Sequence, residues 1–314
     1  MRHFTSLSDL PDPAAFLKMA RKLKQDPLAF NYLGKNKMLG LIFFNPSLRT
    51  RLSTQKAAAN LGLSVIVMNI GPEGWALEFE DGAVMNGDKA EHIKDAAAVM
   101  GQYCDVIGVR TFAGLSDRVA DYEEKVLRAF QQYAGVPILS LESATGHPLQ
   151  AFADWITIEE HMPKARPKVV LTWAPHPRAL PQAVANSFLS WMQQADVELV
   201  LACPPGLELA PEILGDTRVE HKQAKAFEGA DFIYAKNWSS YHDYGKIVSP
   251  PVSWTVSEEK MALTHQARFM HCLPVRRNVV VDDAVIDSPN ALVQAQALNR
   301  VYAAQAVLRW MLEG

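Results

Sequence analysis

The sequence predicts an α/β protein made of two doubly wound parallel-sheet domains. Short apolar runs alternate with helical patterns along most of the chain, and strands apolar on both faces are what a helix-covered parallel sheet requires. The alternation halts at the proline-rich stretch 163–167 and then restarts. At 314 residues the chain also exceeds what one hydrophobic core usually serves. The expected domains are residues 1–150 and 151–290, followed by a terminal segment, 291–314.

Asp12-Pro13 reads as an N-cap with proline at the first helical position, and Phe16, Met19, Ala20 and Leu23 share an apolar face. Residues 38–44 are apolar apart from Gly40 and predict a buried strand. It breaks at Asn45-Pro46, and the helix that follows stops at Gly62. Residues 64–69 predict a second strand. The connection 71–87 has no clear period and is long for a compact domain, which points to a functional loop. A helix near 91–103, a strand at 105–110, a helix at 121–134, a strand at 137–141 and a helix at 147–161 complete the first half. Strands at 168–173, 198–202, 232–235 and 269–271 make the second, with helices at 182–193 and 292–312. Ligands in open α/β sheets lie beyond the carboxyl ends of the strands. Asn45, Arg110, Glu142, Ala174, Lys236 and Cys272 fall at or just past those ends, which predicts one inter-domain site.

Composition narrows the function classes. Hydrophobic residues at 49% and charged residues at 21% suit a soluble globular protein. A net charge of -3 gives no reason to expect nucleic acid or an anionic membrane as partner. No apolar run approaches the roughly 20 residues of a membrane span. The N-terminal residues lack the apolar core of a signal peptide. Three scattered cysteines are too few for a disulfide framework or a zinc site and fit a reducing cytoplasm. No Gly-x-Gly-x-x-Gly follows a strand and no P-loop is present. Neither a metal nor a cofactor is expected.

Ser47 falls near a helix N-terminus, where free backbone N–H groups and the helix dipole attract an anion. Arg49 and Arg51 add positive charge in a form suited to phosphate. On spacing alone the stretch is equally a capped surface helix with two solvated arginines. Read alone, Arg110 is a structural ion-pair arginine and His147-Pro148 a helix start. The motif Ser47-Leu48-Arg49-Thr50-Arg51, however, resembles the carbamoyl-phosphate loop of the aspartate/ornithine carbamoyltransferase superfamily. His147-Pro148-Leu149-Gln150 and Phe269-Met270-His271-Cys272-Leu273-Pro274 resemble its second and third motifs, in family order.

The resemblance implies that Ser47, Leu48, Arg49 and Thr50 take the phosphate of carbamoyl phosphate. Arg110 then bridges phosphate and carbonyl oxygen, His147 and Arg300 reach that oxygen, and Gln150 holds the carbamoyl NH₂. The Cys272 and Leu273 backbone lies beside that NH₂ and the attacking amine, with no covalent intermediate. Arg49, Arg110, His147, Gln150 and Cys272 are the expected catalytic set. The family also implies a final helix that completes the first domain, so that two helices join the domains, and a deep knot in the second domain. It further implies a homotrimer in which Trp75 enters a neighbouring subunit's site.

The chain departs from enzymes that read free ornithine. It has no Ser-Met-Gly loop; Lys236-Asn237-Trp238 stands there, with Val275-Arg276-Arg277-Asn278 after the third motif and Trp173-Ala174-Pro175-His176-Pro177-Arg178 in the second domain. These features resemble the branch that carbamoylates Nα-acylated ornithine, the N-acetylornithine and N-succinylornithine carbamoyltransferases. In that branch Glu142, His176, Lys236 and Arg276 match positions that hold the acylated amino acid. Ala90 stands where the acetyl enzymes carry an acidic residue and the succinyl enzymes a proline. An uncharged Ala90, with Arg178 and Arg276 available to an extra carboxylate, favours N-succinyl-L-ornithine as acceptor. N-acetyl-L-ornithine, or carbamoyl-phosphate binding without turnover, are the alternatives.

Overall fold

The computed structural model describes residues 1–71, 74–248 and 254–314. The chain divides into two compact units: residues 1–114, 119–149 and 300–314, and residues 115–118 and 150–299. Among the described residues no helix is long and apolar enough to cross a membrane.

In the first half α1 (Pro13–Gln25) starts as its sequence dictates, with Asp12 accepting from Ala15 N and Pro13 at the first position. It buries Phe16, Leu17, Ala20 and Leu23. There follow β1 (Met38–Phe43), α2 (Leu48–Asn60), β2 (Ser64–Asn69), the two-residue strands β3 (Leu77–Glu78) and β4 (Glu91–His92), and α3 (Ile93–Tyr103). Then come β5 (Val106–Arg110), α4 (Arg118–Tyr122), α5 (Lys125–Tyr133), β6 (Ile138–Glu142) and α6 (Pro148–Glu160). Four of these strands form a parallel sheet in the order β2-β1-β5-β6. From β1 the chain runs outward to β2 and then returns to the other side, so β1 and β5 flank the switch point. That is where a ligand crevice opens beyond the strand ends. Gly40 lets Cys104 approach β1 closely, since a Cβ there would come within 2.7 Å of Cys104 Sγ and the thiol would have to shift.

The outer pair of this sheet slips by one residue. Val109 pairs with Ser140, but Arg110 pairs with Glu142. Leu141 is the extra residue, and such a bulge re-aims the side chain that follows it. Glu142 is thereby brought alongside Arg110.

The helix expected over 121–134 is broken. Glu124 adopts a left-handed φ of 52° between α4 and α5. Its carboxylate accepts from Ser143 Oγ (2.6 Å), Ala144 N (3.2 Å), Thr145 N (2.8 Å) and Thr145 Oγ1 (2.5 Å). The break therefore serves the turn that leads into α6. Glu124→Ala leaves two backbone N–H groups without their acceptor and is expected to cost about 2 kcal/mol. Calorimetry of the variant should show a lowered melting temperature; an unchanged one would mean that the turn holds without the carboxylate.

The long connection 71–87 belongs to an excursion anchored by β3 and β4, which pair in parallel with Leu77 opposite Glu91. Pro72 and Glu73 of that connection lie outside the described residues. The helix expected from residue 91 begins at Ile93 because the two residues before it are in β4.

The second half contains β7 (Lys168–Trp173), α7 (Ala183–Met192), β8 (Glu198–Ala202), α8 (Pro211–Leu214), β9 (Arg218–Glu220) and α9 (Gln223–Phe227). It continues with β10 (Phe232–Lys236), α10 (Glu258–Met261), β11 (Arg268–Met270), α11 (Asp283–Ile286) and α12 (Val293–Leu312). The parallel order β11-β10-β7-β8-β9 puts the switch point between β7 and β10. Large rings fill this core, among them Phe188 stacked on Tyr234 with centroids 4.3 Å apart. Every strand expected from the sequence is present within one or two residues. The additional elements α8, β9, α9, α10 and α11 are three to five residues long, too short to display a hydrophobic period.

Candidate active site

Ser47 caps α2, its Oγ accepting from Thr50 N at 3.2 Å. The first-turn N–H groups of that helix thus open just past the end of β1. Thr50 is 1% exposed, and its Oγ1 accepts from two guanidiniums, Arg110 Nη1 at 3.1 Å and Arg300 Nη2 at 2.7 Å. Arg110 ends β5, pairs with Glu142 at 2.6 Å and lies 4.6 Å from the Phe112 ring centroid. Its Nε is buried and meets no acceptor among the described residues. His147 Nε2 lies 3.4 Å from the same Glu142 oxygen. All of Arg110, Glu142, His147 and Arg300 are more than nine-tenths buried. Two guanidiniums, an imidazole and one carboxylate meet in this desolvated group, and guanidinium forks of this kind suit a bound anion.

Arg49 is half-buried on the first turn of α2, and Leu48 is exposed beside it. Arg51 departs from expectation. It turns away to Asn69 Oδ1, 2.6 Å distant, and stacks over the Phe43 ring. Glu142, expected to hold the acylated amino acid, belongs here to the cluster formed by Arg110 and His147.

A second polar group lies in the other unit. Gln150 Nε2 donates to Asp154 Oδ1 (2.7 Å), which also accepts from Gln296 Nε2 (2.9 Å). Gln296 Oε1 accepts from His271 N (2.9 Å), and His271 Nδ1 accepts from Leu273 N (2.8 Å). The relay is buried from Gln150 to His271 and fixes both Gln150 and the turn carrying Cys272 and Leu273. Leu273 has a φ of 54° there, and its bond to Pro274 is cis. Cys272 is half-buried. Asp154 and Gln296 are not evident in the motifs; the i,i+4 spacing of Gln150 and Asp154 is the one sequence signal for the former.

At the β7/β10 switch point Lys236 Nζ donates to Asn237 O (2.9 Å), and Asn237 Nδ2 donates to Ala174 O (2.8 Å), tying the two strand ends together. His176 follows β7, its Nδ1 3.0 Å from Arg178 O. Burial lowers the His176 pKa below the ordinary imidazole value against the pull of the Arg178 carbonyl, and the charges of Lys236, Arg276 and Arg178 push the same way as burial. A neutral imidazole ringed by three cations suits a substrate carboxylate. Trp173, His176, Arg178, Asn237 and Trp238 line a small cavity here. The neighbouring Arg277 is instead engaged by Asp283 (2.8 Å) and Asp287 (2.7 Å).

Trp75 and Ala90 share the 71–92 excursion. Trp75 is 56% exposed, and its Nε1 donates to Glu91. Ala90 is exposed, with its N–H on Ala76 O.

Comparison with known families gives the decisive match: the carbamoyl-phosphate-binding domain of aspartate/ornithine carbamoyltransferases over residues 2–160, and their aspartate/ornithine-binding domain over residues 181–311. The chain belongs to the aspartate/ornithine carbamoyltransferase family. This carbamoyltransferase is 55% identical over 316 residues to the N-succinylornithine carbamoyltransferase of Bacteroides thetaiotaomicron, covering 100% of the chain and 99% of the relative. It is 37% identical over 331 residues to the N-acetylornithine carbamoyltransferase of Xanthomonas campestris pv. campestris, covering 98% and 97%. Among solved structures it resembles an N-acetyl-L-ornithine transcarbamylase with one glutamate replaced by alanine, complexed with carbamyl phosphate and N-succinyl-L-norvaline. That likeness has a TM-score of 0.92 at 37% identity and covers 99% of this chain and 100% of the other. The carbamoyltransferase's buried Arg110, Glu142 and His147 fall within the first matched domain, and Lys236, Cys272, Arg276 and Arg300 within the second.

Proposed function

We propose that this carbamoyltransferase moves the carbamoyl group of carbamoyl phosphate onto the side-chain amine of N-succinyl-L-ornithine, giving N-succinyl-L-citrulline and phosphate in arginine biosynthesis. The observation that carries the first half is the convergence of Arg110 and Arg300 on Thr50 Oγ1, at a helix N-terminus beside a sheet switch point. Ser47, Leu48, Arg49 and Thr50 hold the phosphate through N–H groups, hydroxyls and a guanidinium. Arg110, His147 and Arg300 donate to the carbonyl oxygen as attack turns it into an oxyanion. Gln150 and the Cys272 and Leu273 backbone hold the carbamoyl NH₂. The amine attacks neutral, although an alkyl ammonium has a pKa of about 10.4 in water. The C–N bond forms, the bond from carbon to the phosphate oxygen breaks, and the amine's proton leaves with the phosphate.

The cationic group of His176, Arg178, Lys236 and Arg276 supports an acceptor with carboxylates, and Glu142 completes its reading. N-Acetyl-L-ornithine transcarbamylases with a glutamate replaced by alanine, valine, serine or proline are solved with N-succinyl-L-norvaline. Ala90, uncharged where the acetyl branch is acidic, fits the same logic. In this reading the protein is a cytoplasmic homotrimer with Trp75 reaching a neighbouring site. Two helices join its domains, a knot lies in the second, and no cofactor is used. The exposure of Trp75 supports the first of these, and three cysteines that form no disulfide with one another suit a reducing compartment.

The test is phosphate release from carbamoyl phosphate offered with N-succinylornithine, N-acetylornithine, ornithine or aspartate. Turnover with N-succinylornithine and background rates with ornithine are expected. A faster rate with N-acetylornithine would overturn the acyl assignment, and no release with any acceptor would overturn the reaction.

A further inference from the structure

Outside the groups described so far, Cys203, Glu208 and His221 bring a thiol, a carboxylate and an imidazole together, with their ligand atoms all within 4.8 Å of one another. None of the three belongs to a carbamoyltransferase motif. The sheet makes the pairing. Ala202 at the end of β8 lies opposite Glu220 at the end of β9, so the next residue on each strand, Cys203 and His221, emerge side by side. Cys203 N donates to Glu220 O at 3.3 Å and locks that register.

His221 is oriented as metal-ligating histidines are. Its Nδ1 lies 3.0 Å from Cys203 O. A carbonyl oxygen can only accept, so Nδ1 carries a proton and Nε2 is the ring atom left to ligate a metal. That Nε2 faces Glu208 Oε1 at 3.5 Å. Glu208 reaches it because the chain after β8 folds straight back, with Leu207 N on Pro204 O. The returning segment is held from below: Trp238 Nε1 donates to Leu207 O (2.7 Å) and Ser240 Oγ to Gly206 O (2.8 Å). Leu207 and Leu209 are buried on either side of Glu208, which is only partly so.

We propose that Cys203, Glu208 and His221 form a binding site for a borderline-soft divalent cation of the zinc class. One sulfur, one nitrogen and one oxygen donor fit zinc and disfavour magnesium and calcium, which take oxygen shells. On binding, Cys203 loses its thiol proton to solvent and His221 supplies its Nε2 lone pair. Coordination positions not filled by the protein remain for water, since Glu208 and His221 are part-exposed. The site staples the ends of β8 and β9, and it mixes residue types that cysteine spacing alone does not reveal.

Cobalt(II) is the probe. Added to the full-length, metal-stripped protein it is expected to give a thiolate-to-metal charge-transfer band that zinc(II) abolishes. Cys203→Ser should remove the band, while Cys272→Ser and Cys104→Ser keep it. Because Cys203 is fully buried and serine there could disturb the fold, His221→Gln and Glu208→Gln provide a second reading at part-exposed positions. Each should weaken zinc binding by about 100-fold with carbamoyl transfer unchanged. No band, a band that survives Cys203→Ser, or one lost in Cys272→Ser would overturn the assignment.

Discussion

Arg110→Lys is expected to fold and to lose about 100- to 1,000-fold in kcat/KM for carbamoyl phosphate. The guanidinium does three things at once: it donates to Thr50 Oγ1, pairs with Glu142 and stacks over Phe112. An ammonium keeps the charge beside Glu142 but has no planar fork with which to reach the other two or to span phosphate and carbonyl oxygen. Arg110→Gln should be worse for stability, by about 3–5 kcal/mol, because it strands Glu142 as a buried charge. The double change Arg110→Gln with Glu142→Gln separates the two effects. Removing both charges should restore most of the stability and none of the activity. Melting temperature and steady-state kinetics on the three variants check this, and recovery of turnover in the double variant would exclude Arg110 from the chemistry.

Ala90→Glu is expected to lower the ratio of kcat/KM for N-succinylornithine over N-acetylornithine by about 100-fold, through repulsion of a like charge placed against the succinyl carboxylate. Ala90 is exposed, so the substitution should leave stability within about 0.5 kcal/mol. A shift in KM for the succinyl substrate, with the acetyl substrate little affected or improved, is the kinetic signature. An unchanged preference would mean that another position reads the acyl group.

Much of the scaffold could be read directly from residue patterns. The central strands β1, β5, β7 and β10 are buried on both faces and appear as largely apolar runs, and α1 and α2 announce their starts through Asp12-Pro13 and Ser47. What stayed hidden was set by contacts distant in sequence. The break at Glu124 depends on a turn some twenty residues later that its carboxylate satisfies. The turning away of Arg51 depends on Asn69 and on the ring of Phe43, so a basic residue in the right motif was not enough to place its charge. Gln296 gives no hint in its own helix that it links Asp154 to His271. The second motif names His147 and Gln150, whereas the groups that hold them in place, Glu142 and Asp154, are visible only in three dimensions.

The slipped pairing of β5 and β6 makes the length of β6 itself functional. Side chains alternate along a strand, and without Leu141 the ladder would run straight, with Ser140 and Glu142 adjacent and Glu142 still opposite Arg110. The cost would fall on the residues after the strand, since the turn at 143–145 that Glu124 holds would be drawn one place toward the sheet. A single-codon deletion in this strand would therefore disturb the turn into α6 rather than the Arg110 pair.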